Sequence, residues 1–255
     1  MVKVRADLHF HPSFKGKGQN PLLTEPKIPS LNDIVERINQ RGLGLLAITS
    51  YSPARGNDQR WAEYMKERIK HPNKITRISD QGFLLESTQS GLQTCVIHGQ
   101  ELKTDKADIN VLFAERKIPI DSKERFEYTI FKAKDSGENV IITLPHPSRK
   151  SKLTILDIKS LCSSGLIDAV ESYDAMDTLK HNQITSTLSK NLEVPGIAVS
   201  DGHRLEDMGR SYTQFELPLE VLRDYRKLSK AIKEAIRTNN FERKEKPCSL
   251  TSRLL

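Results

Sequence analysis

The sequence is poor in cysteine, with three in 255 residues. Cys95, Cys162 and Cys248 are odd in number, far apart and free of any Cys-x-x-Cys pair, which excludes a paired disulfide framework, and they read as reduced thiols without chemistry. Long apolar runs are missing too. None approaches the roughly 20 residues a membrane span requires, so no crossing of a membrane is expected. No basic and apolar leader precedes the first strand, and a cytoplasmic location is the expectation. Internal repeats, helix-turn-helix spacing and aromatic-rich sheet signatures are not evident.

Charge, by contrast, is plentiful. Charged residues make up 29% of the chain against 36% hydrophobic, and the net charge is +7. Between Leu222 and Lys246, nine Lys/Arg stand against four acids, so this segment carries five of the seven net positive charges. Such a helix either contacts nucleic acid or presents the solvated face of an ordinary amphipathic helix.

At 255 residues, the length suits one α/β barrel. One domain is expected over residues 1–241, followed by a polar tail at 242–255 that could dock. Ser30 is placed to cap a helix with Leu31, Ile34, Val35 and Ile38 on one face, and Gly42 ends it. The uninterrupted apolar run Leu45-Leu46-Ala47-Ile48-Thr49 reads as a strand covered on both faces. Further strands are expected at Thr94 to Ile97, Asp108 to Phe113, Val140 to Leu144, Ile167 to Val170 and Gly196 to Val199. Helices lie between most of them, and a long helix is expected from Leu219 to Arg237. This alternation predicts a parallel sheet closed into an irregular barrel.

Polar residues collect at the downstream ends of these strands. Asp7-Leu8-His9-Phe10-His11 ends the first, where period-two alternation would put Asp7, His9 and His11 on one face, with Asp7 orienting a histidine. Ser50 and Tyr51, Glu101, His146, Glu171, and Asp201 with His203 end others. In a parallel barrel these ends share one mouth, the place where sites of that architecture are built. Histidines mixed with Glu101 and Asp201 suit Zn²⁺, Mn²⁺ or Fe²⁺ better than an all-oxygen Ca²⁺ cage.

Taken in order, Asp7-Leu8-His9-Phe10-His11, Gly99-Gln100-Glu101, His146-Pro147 with Arg149, Glu171, and Ser200-Asp201-Gly202-His203 resemble the polymerase and histidinol phosphatase (PHP) family of metal-dependent phosphoesterases. The resemblance implies a distorted (β/α)7 barrel related to the TIM barrel, with up to three metals activating water against a phosphate ester. It implies a first metal site of His9, His11, Glu101 and Asp201, and a second bridged by Glu101 and including His146. Two departures stand out. Thr49-Ser50-Tyr51 replaces the family's Thr-Asp-His, and Asn110 stands where many members have histidine, although it could offer an amide oxygen. One or two ions are therefore expected rather than three. His203 is then free to act as general acid, and Arg149, Arg204 or Lys15 to neutralise phosphate charge. The expected partner is a phosphorylated small molecule or a nucleic acid. The competing reading is a non-catalytic barrel that binds nucleic acid or protein, using Arg223, Arg226, Lys227, Lys230 and Lys233 for nucleic acid.

Overall fold

The computed structural model describes residues 1–12, 29–52, 61, 64–66, 74–87, 91–119 and 124–248, and the side chains of residues 50–52 and 150 lie outside it. Lys15 and residues 249–255 are among the positions not described. One sheet holds β1 (Val2–Phe10), β2 (Leu45–Ser52), β3 (Lys74–Ser79), β4 (Gly82–Glu86), β5 (Gln93–Leu102), β6 (Ile109–Leu112), β7 (Ile141–Leu144), β8 (Ala169–Asp174), β9 (Gly196–Val199), β10 (Tyr212–Leu217) and β11 (Phe241–Lys244). The helices are α1 (Leu31–Arg41), α2 (Phe126–Asp135), α3 (Pro147–Lys150), α4 (Ile155–Ser163), α5 (Leu179–Leu192) and α6 (Tyr225–Arg237). None is long and apolar enough to cross a membrane, among the described residues.

The wall of the barrel runs β1-β2-β5-β6-β7-β8-β9, with β10 and β11 continuing beyond β1. Its strands are parallel except β6, which is antiparallel to both neighbours. Only residues 103–108 join β5 to β6, fewer than the dozen or so that a parallel crossover needs. Two strands divide one edge between two partners. The upstream half of β5 pairs with β4 and its downstream end with β6, while β1 pairs with β10 below and meets Gly202, just past β9, above. There His11 N donates to Gly202 O at 2.9 Å, so the sheet closes at the downstream end.

Helix boundaries follow their caps. Ser30 and Asp33 form a reciprocal capping box before α1, Thr154 and Asp157 form another before α4, and Gly42 adopts φ 62° to end α1. Each such cap contributes about 1 kcal/mol. The expected single helix from Leu219 is broken instead. A 3₁₀ turn (Leu219–Arg223) precedes Asp224, whose extended backbone (φ −131°) and side chain cap α6. The buried face of α6 includes Leu228, Ile232 and Ala235, as the apolar spacing predicts, and packs in one core with Val4, Ala6 and Leu8 of β1 and Phe215 of β10. Helix α6 thus plugs the barrel beside the upstream ends of its strands. Residues 241–244 add the edge strand β11, and Cys248 is buried with its N–H on Ala175 O at 2.9 Å.

The expected shared face of Asp7, His9 and His11 is corrected by a bulge. The register of β1 against β2 shifts between Asp7 and Phe10. Ala6 and Leu8 pack in the barrel interior, whereas Phe10 packs in the outer layer with α1. The extra residue turns His9 and His11 inward and leaves Asp7 on the other side. Asp7 accordingly accepts from the backbone N–H of Ser200 (3.1 Å) and of Gly209 (2.8 Å) instead of orienting an imidazole. Burial raises its carboxyl to about 6 against these bonds. Replacing it leaves two N–H groups without their acceptor, at about 1–3 kcal/mol each. Asp7→Ala is expected to lower unfolding stability by about 2–4 kcal/mol in urea titrations; an unchanged midpoint would show that the tether contributes nothing.

Candidate metal centre

Inside the barrel each strand changes character at the same height. Ala47, Ile97, Ala169 and Val199 belong to the inner core. Two residues further along the same face stand Thr49, Gly99, Glu171 and Asp201, and Glu101 follows Gly99 at the next inward position. A Cβ at Gly99 would lie 2.8 Å from the Leu112 side chain and 3.0 Å from that of Thr49, so a larger residue there would have to push these side chains aside. Two of the polar residues sit in strained backbone: His146 has φ 29° and Asp201 φ 45°. For residues other than glycine such conformations cost on the order of 1–3 kcal/mol and collect where function holds them.

His9 and His11 are wholly buried, with their Nε2 atoms 2.9 Å apart. His9 Nδ1 is 2.9 Å from Glu171 Oε1 and His11 Nδ1 is 2.8 Å from Thr49 O. A carboxylate and a carbonyl only accept, so Nδ1 is the donor in both rings, and both Nε2 atoms present lone pairs. Asp201 Oδ1 stands 3.4 Å and 3.5 Å from the two Nε2 atoms, and Glu101 Oε2 4.0 Å and 3.4 Å from them. Neither carboxylate oxygen has a hydrogen-bond donor. With both imidazoles neutral, four acceptor atoms face one point, an arrangement that fits a cation. Two imidazoles and two carboxylates are the donor set of a borderline divalent metal, with Glu171 and Thr49 fixing the histidines from behind.

The electrostatics agree. Burial opposes a charged imidazole at His9, yet Glu171, Asp201 and Glu101 raise its pKa well above the ordinary value, so the site calls for positive charge and a proton competes with a cation for Nε2. Burial likewise opposes ionisation of Glu101 and Asp201, but the surrounding histidines, and for Asp201 also Arg149, hold both carboxyls below their usual range. Asp174 runs the other way: burial and the neighbouring carboxylates raise it well above normal, against the pull of Arg149.

The remaining expected site residues divide. His146 Nε2 lies 3.3 Å from Glu101 Oε1, so the two oxygens of Glu101 face different groups. Arg149 donates to Asp201 Oδ2 at 3.2 Å and lies 3.9–4.0 Å from Asp177 and Asp174, which sets much of its charge on carboxylates. His203 stacks on His11 with ring centroids 5.0 Å apart. Burial pushes His203 down to about 4, so it is neutral near pH 7 and has a lone pair to offer before it has a proton. Asn110 donates its amide N–H to Glu171 Oε1 at 2.8 Å. His98 is held by Gln81 at 2.8 Å and stacks on Trp61, away from the cluster. For Ser50 and Tyr51 only the backbone is described, paired with Gln100 and Glu101.

Sequence reasoning passed over Asp108. Its carboxylate joins Glu101 and His146 with ligand atoms within 4.8 Å of one another. The available signal was its position two residues before Asn110, hence on the same face of an extended segment.

Residues 180–237 match the family described as PHP-associated. No curated protein matches the sequence. Among solved structures, PsfC from Pseudomonas syringae aligns over 100% of this chain and 95% of its own, with TM-score 0.65 and 16% identity, a shared fold. A candidate metal-dependent phosphoesterase from Bifidobacterium adolescentis aligns over 78% of this chain and 87% of its own (TM-score 0.44, 13% identity). An amidohydrolase from Chromobacterium violaceum covers 89% and 96% (TM-score 0.44, 14% identity). Each of His9→Ala, Glu101→Ala and Asp201→Ala is expected to remove the tightly held ion, read as metal content after desalting. Wild-type metal content in all three would sink the site.

Proposed function

We propose that this chain is a PHP-type metal-dependent hydrolase of phosphate esters, either a phosphatase or a phosphodiesterase. The observation that carries the reading is the convergence of His9 Nε2, His11 Nε2, Glu101 Oε2 and Asp201 Oδ1 on one buried point. The PHP-associated match over residues 180–237 supports it. A divalent cation bound there supplies a Lewis acid that polarises a phosphoryl oxygen and makes water acidic enough to attack near neutral pH.

The chain's own groups do the rest. Arg149 takes Asp201 Oδ2 and so leaves Oδ1 turned to the histidines. With 29% of its side chain exposed, it still presents part of the guanidinium to an incoming anion. His203, 28% exposed on the far side of His11, is placed to pass a proton between substrate and solvent. Its neutral state makes it a proton acceptor first and a donor to the leaving group afterwards.

Chelator-free protein supplied with Mn²⁺ or Zn²⁺ is expected to hydrolyse aryl phosphate monoesters or diesters, with activity lost in Glu101→Ala. His203→Ala should keep its metal and lose about 10²–10⁴-fold in kcat, the scale of a general acid–base group. Failure to hydrolyse any phosphate monoester, diester or nucleic acid at full metal occupancy would overturn the reading.

The competing nucleic-acid role draws on α6 and the 3₁₀ turn before it, where several of the cations are paired with carboxylates of this chain. Arg223 pairs with Glu86 at 3.1 Å, Arg226 with Glu115 at 2.9 Å, and Lys233 with Asp168 at 3.5 Å. The helix also lies at the barrel end opposite the histidines. Reversing Arg223, Lys227 and Lys230 is expected to shift heparin elution only slightly. A collapse of retention, with a flattened salt dependence, would make α6 a polyanion surface.

A further inference from the structure

We propose that Asp108 completes a second metal position with Glu101 and His146, and that this position takes a harder, oxygen-preferring ion than the two-histidine position does. The inference rests on the metal reading of the first position and extends it to a residue outside the motifs.

Three observations meet here. The carboxylates of Glu101 and Asp108 and the imidazole of His146 place one donor atom each within 4.8 Å of the others. Glu101 is wholly buried and turns Oε1 toward His146 at 3.3 Å while its orphaned Oε2 faces His11 at 3.4 Å, so a single carboxylate serves two neighbouring groups. His146 is held in left-handed backbone (φ 29°), a strained conformation for a histidine.

Position 110, directly opposite Glu101 in the β5–β6 pairing, cannot supply an imidazole, because Asn110 stands there and donates to Glu171. Asp108 lies two residues earlier, just before β6 begins at Ile109, and projects from the same side of that extended segment. Since β6 is antiparallel to its neighbours, earlier residues of this strand lie nearer the mouth. A carboxylate at 108 therefore reaches from above the place that a side chain at 110 would reach from below.

The exchange changes the chemistry of the position. The first holds two imidazole nitrogens and two carboxylate oxygens, and the second one nitrogen and two carboxylates. Imidazole-rich sites favour Zn²⁺, whereas carboxylate-rich sites suit Mn²⁺ or Mg²⁺. Asp108 is also partly exposed, while His9, His11 and Asp201 are buried, so the second ion exchanges faster.

The test strips the full-length protein with chelator, reloads it with Zn²⁺ alone, Mn²⁺ alone or one equivalent of Zn²⁺ per chain with an excess of Mn²⁺, and counts ions after desalting, with Mn²⁺ also read by EPR. Wild type is expected to hold two ions, one of each kind in the mixed loading. Asp108→Asn, nearly isosteric, should weaken the second ion by more than about tenfold, the scale of losing even an outer-sphere partner, and leave the first in place. Asp108→His should restore two-ion binding with the second position turned toward Zn²⁺. Two ions with unaltered preference in Asp108→Asn would overturn the proposal, as would wild type that retains no Mn²⁺ in the mixed loading. A single ion that His9→Ala removes and Asp108→Asn does not would overturn this inference alone, whereas no ion in wild type would overturn the first position with it.

Discussion

Acceptor atoms gathered around one buried point are the constraint on which this structure turns. His9, His11, Glu101 and Asp201 are all but fully buried, with relative exposures of 0–2%, and each turns an acceptor atom toward the same point. Lone pairs brought together in a low-dielectric interior repel, and burying carboxylates costs several kcal/mol per ion unless opposite charge meets them. A positive charge at that point converts the repulsion into cohesion. Glu171 and Thr49 O behind the rings are what keep both lone pairs pointing inward.

The barrel is arranged around holding those acceptors in place. Strand β1 supplies two of them only because the bulge after Asp7 turns His9 and His11 toward the axis. The tether from Asp7 to Ser200 and Gly209, with His11 N on Gly202 O, then fixes the segment carrying Asp201 against β1. At the other end apolar side chains fill the interior, α6 covers them, and surface ion pairs such as Arg226–Glu115 decorate the outside. Exposed pairs of that kind contribute little each, about 0–1 kcal/mol. The upstream end serves cohesion and the downstream end carries the strain, seen in the backbone of His146 and Asp201.

Much of this was legible in one sequence because strand ends and ligand types coincide there. Apolar runs that stop at Glu101, Glu171 or Asp201 announce both the strand and its mouth, and Ser30-x-x-Asp33 announces the first helix. The bulge was not legible. Strict alternation gave Asp7 to the wrong face, since one extra residue inverts every assignment on one side of it. Asp108 was hidden for a related reason: it lies outside the apolar core of β6, in a segment whose direction is set by the short connection from β5 rather than by its own composition. The role of α6 could not be read from charge alone, because the partners of Arg223 and Arg226 are Glu86 and Glu115, more than a hundred residues away in sequence.

Charge balance carries the argument one step further. Glu101, Asp108, Glu171, Asp174, Asp177 and Asp201 crowd one mouth, and among the described residues Arg149 reaches three of them. Asp174 responds by favouring its neutral form. Asp108 adds a carboxylate to this mouth, and so much negative charge disfavours an approaching anion unless cations offset it. On the proposed reading, the carboxylates that would hold a second ion also make its charge necessary for an anionic phosphate ester to enter. Arg149 offsets only part of this charge, because its guanidinium is held on Asp201 Oδ2 and releasing it would free the carboxylate that the first position depends on.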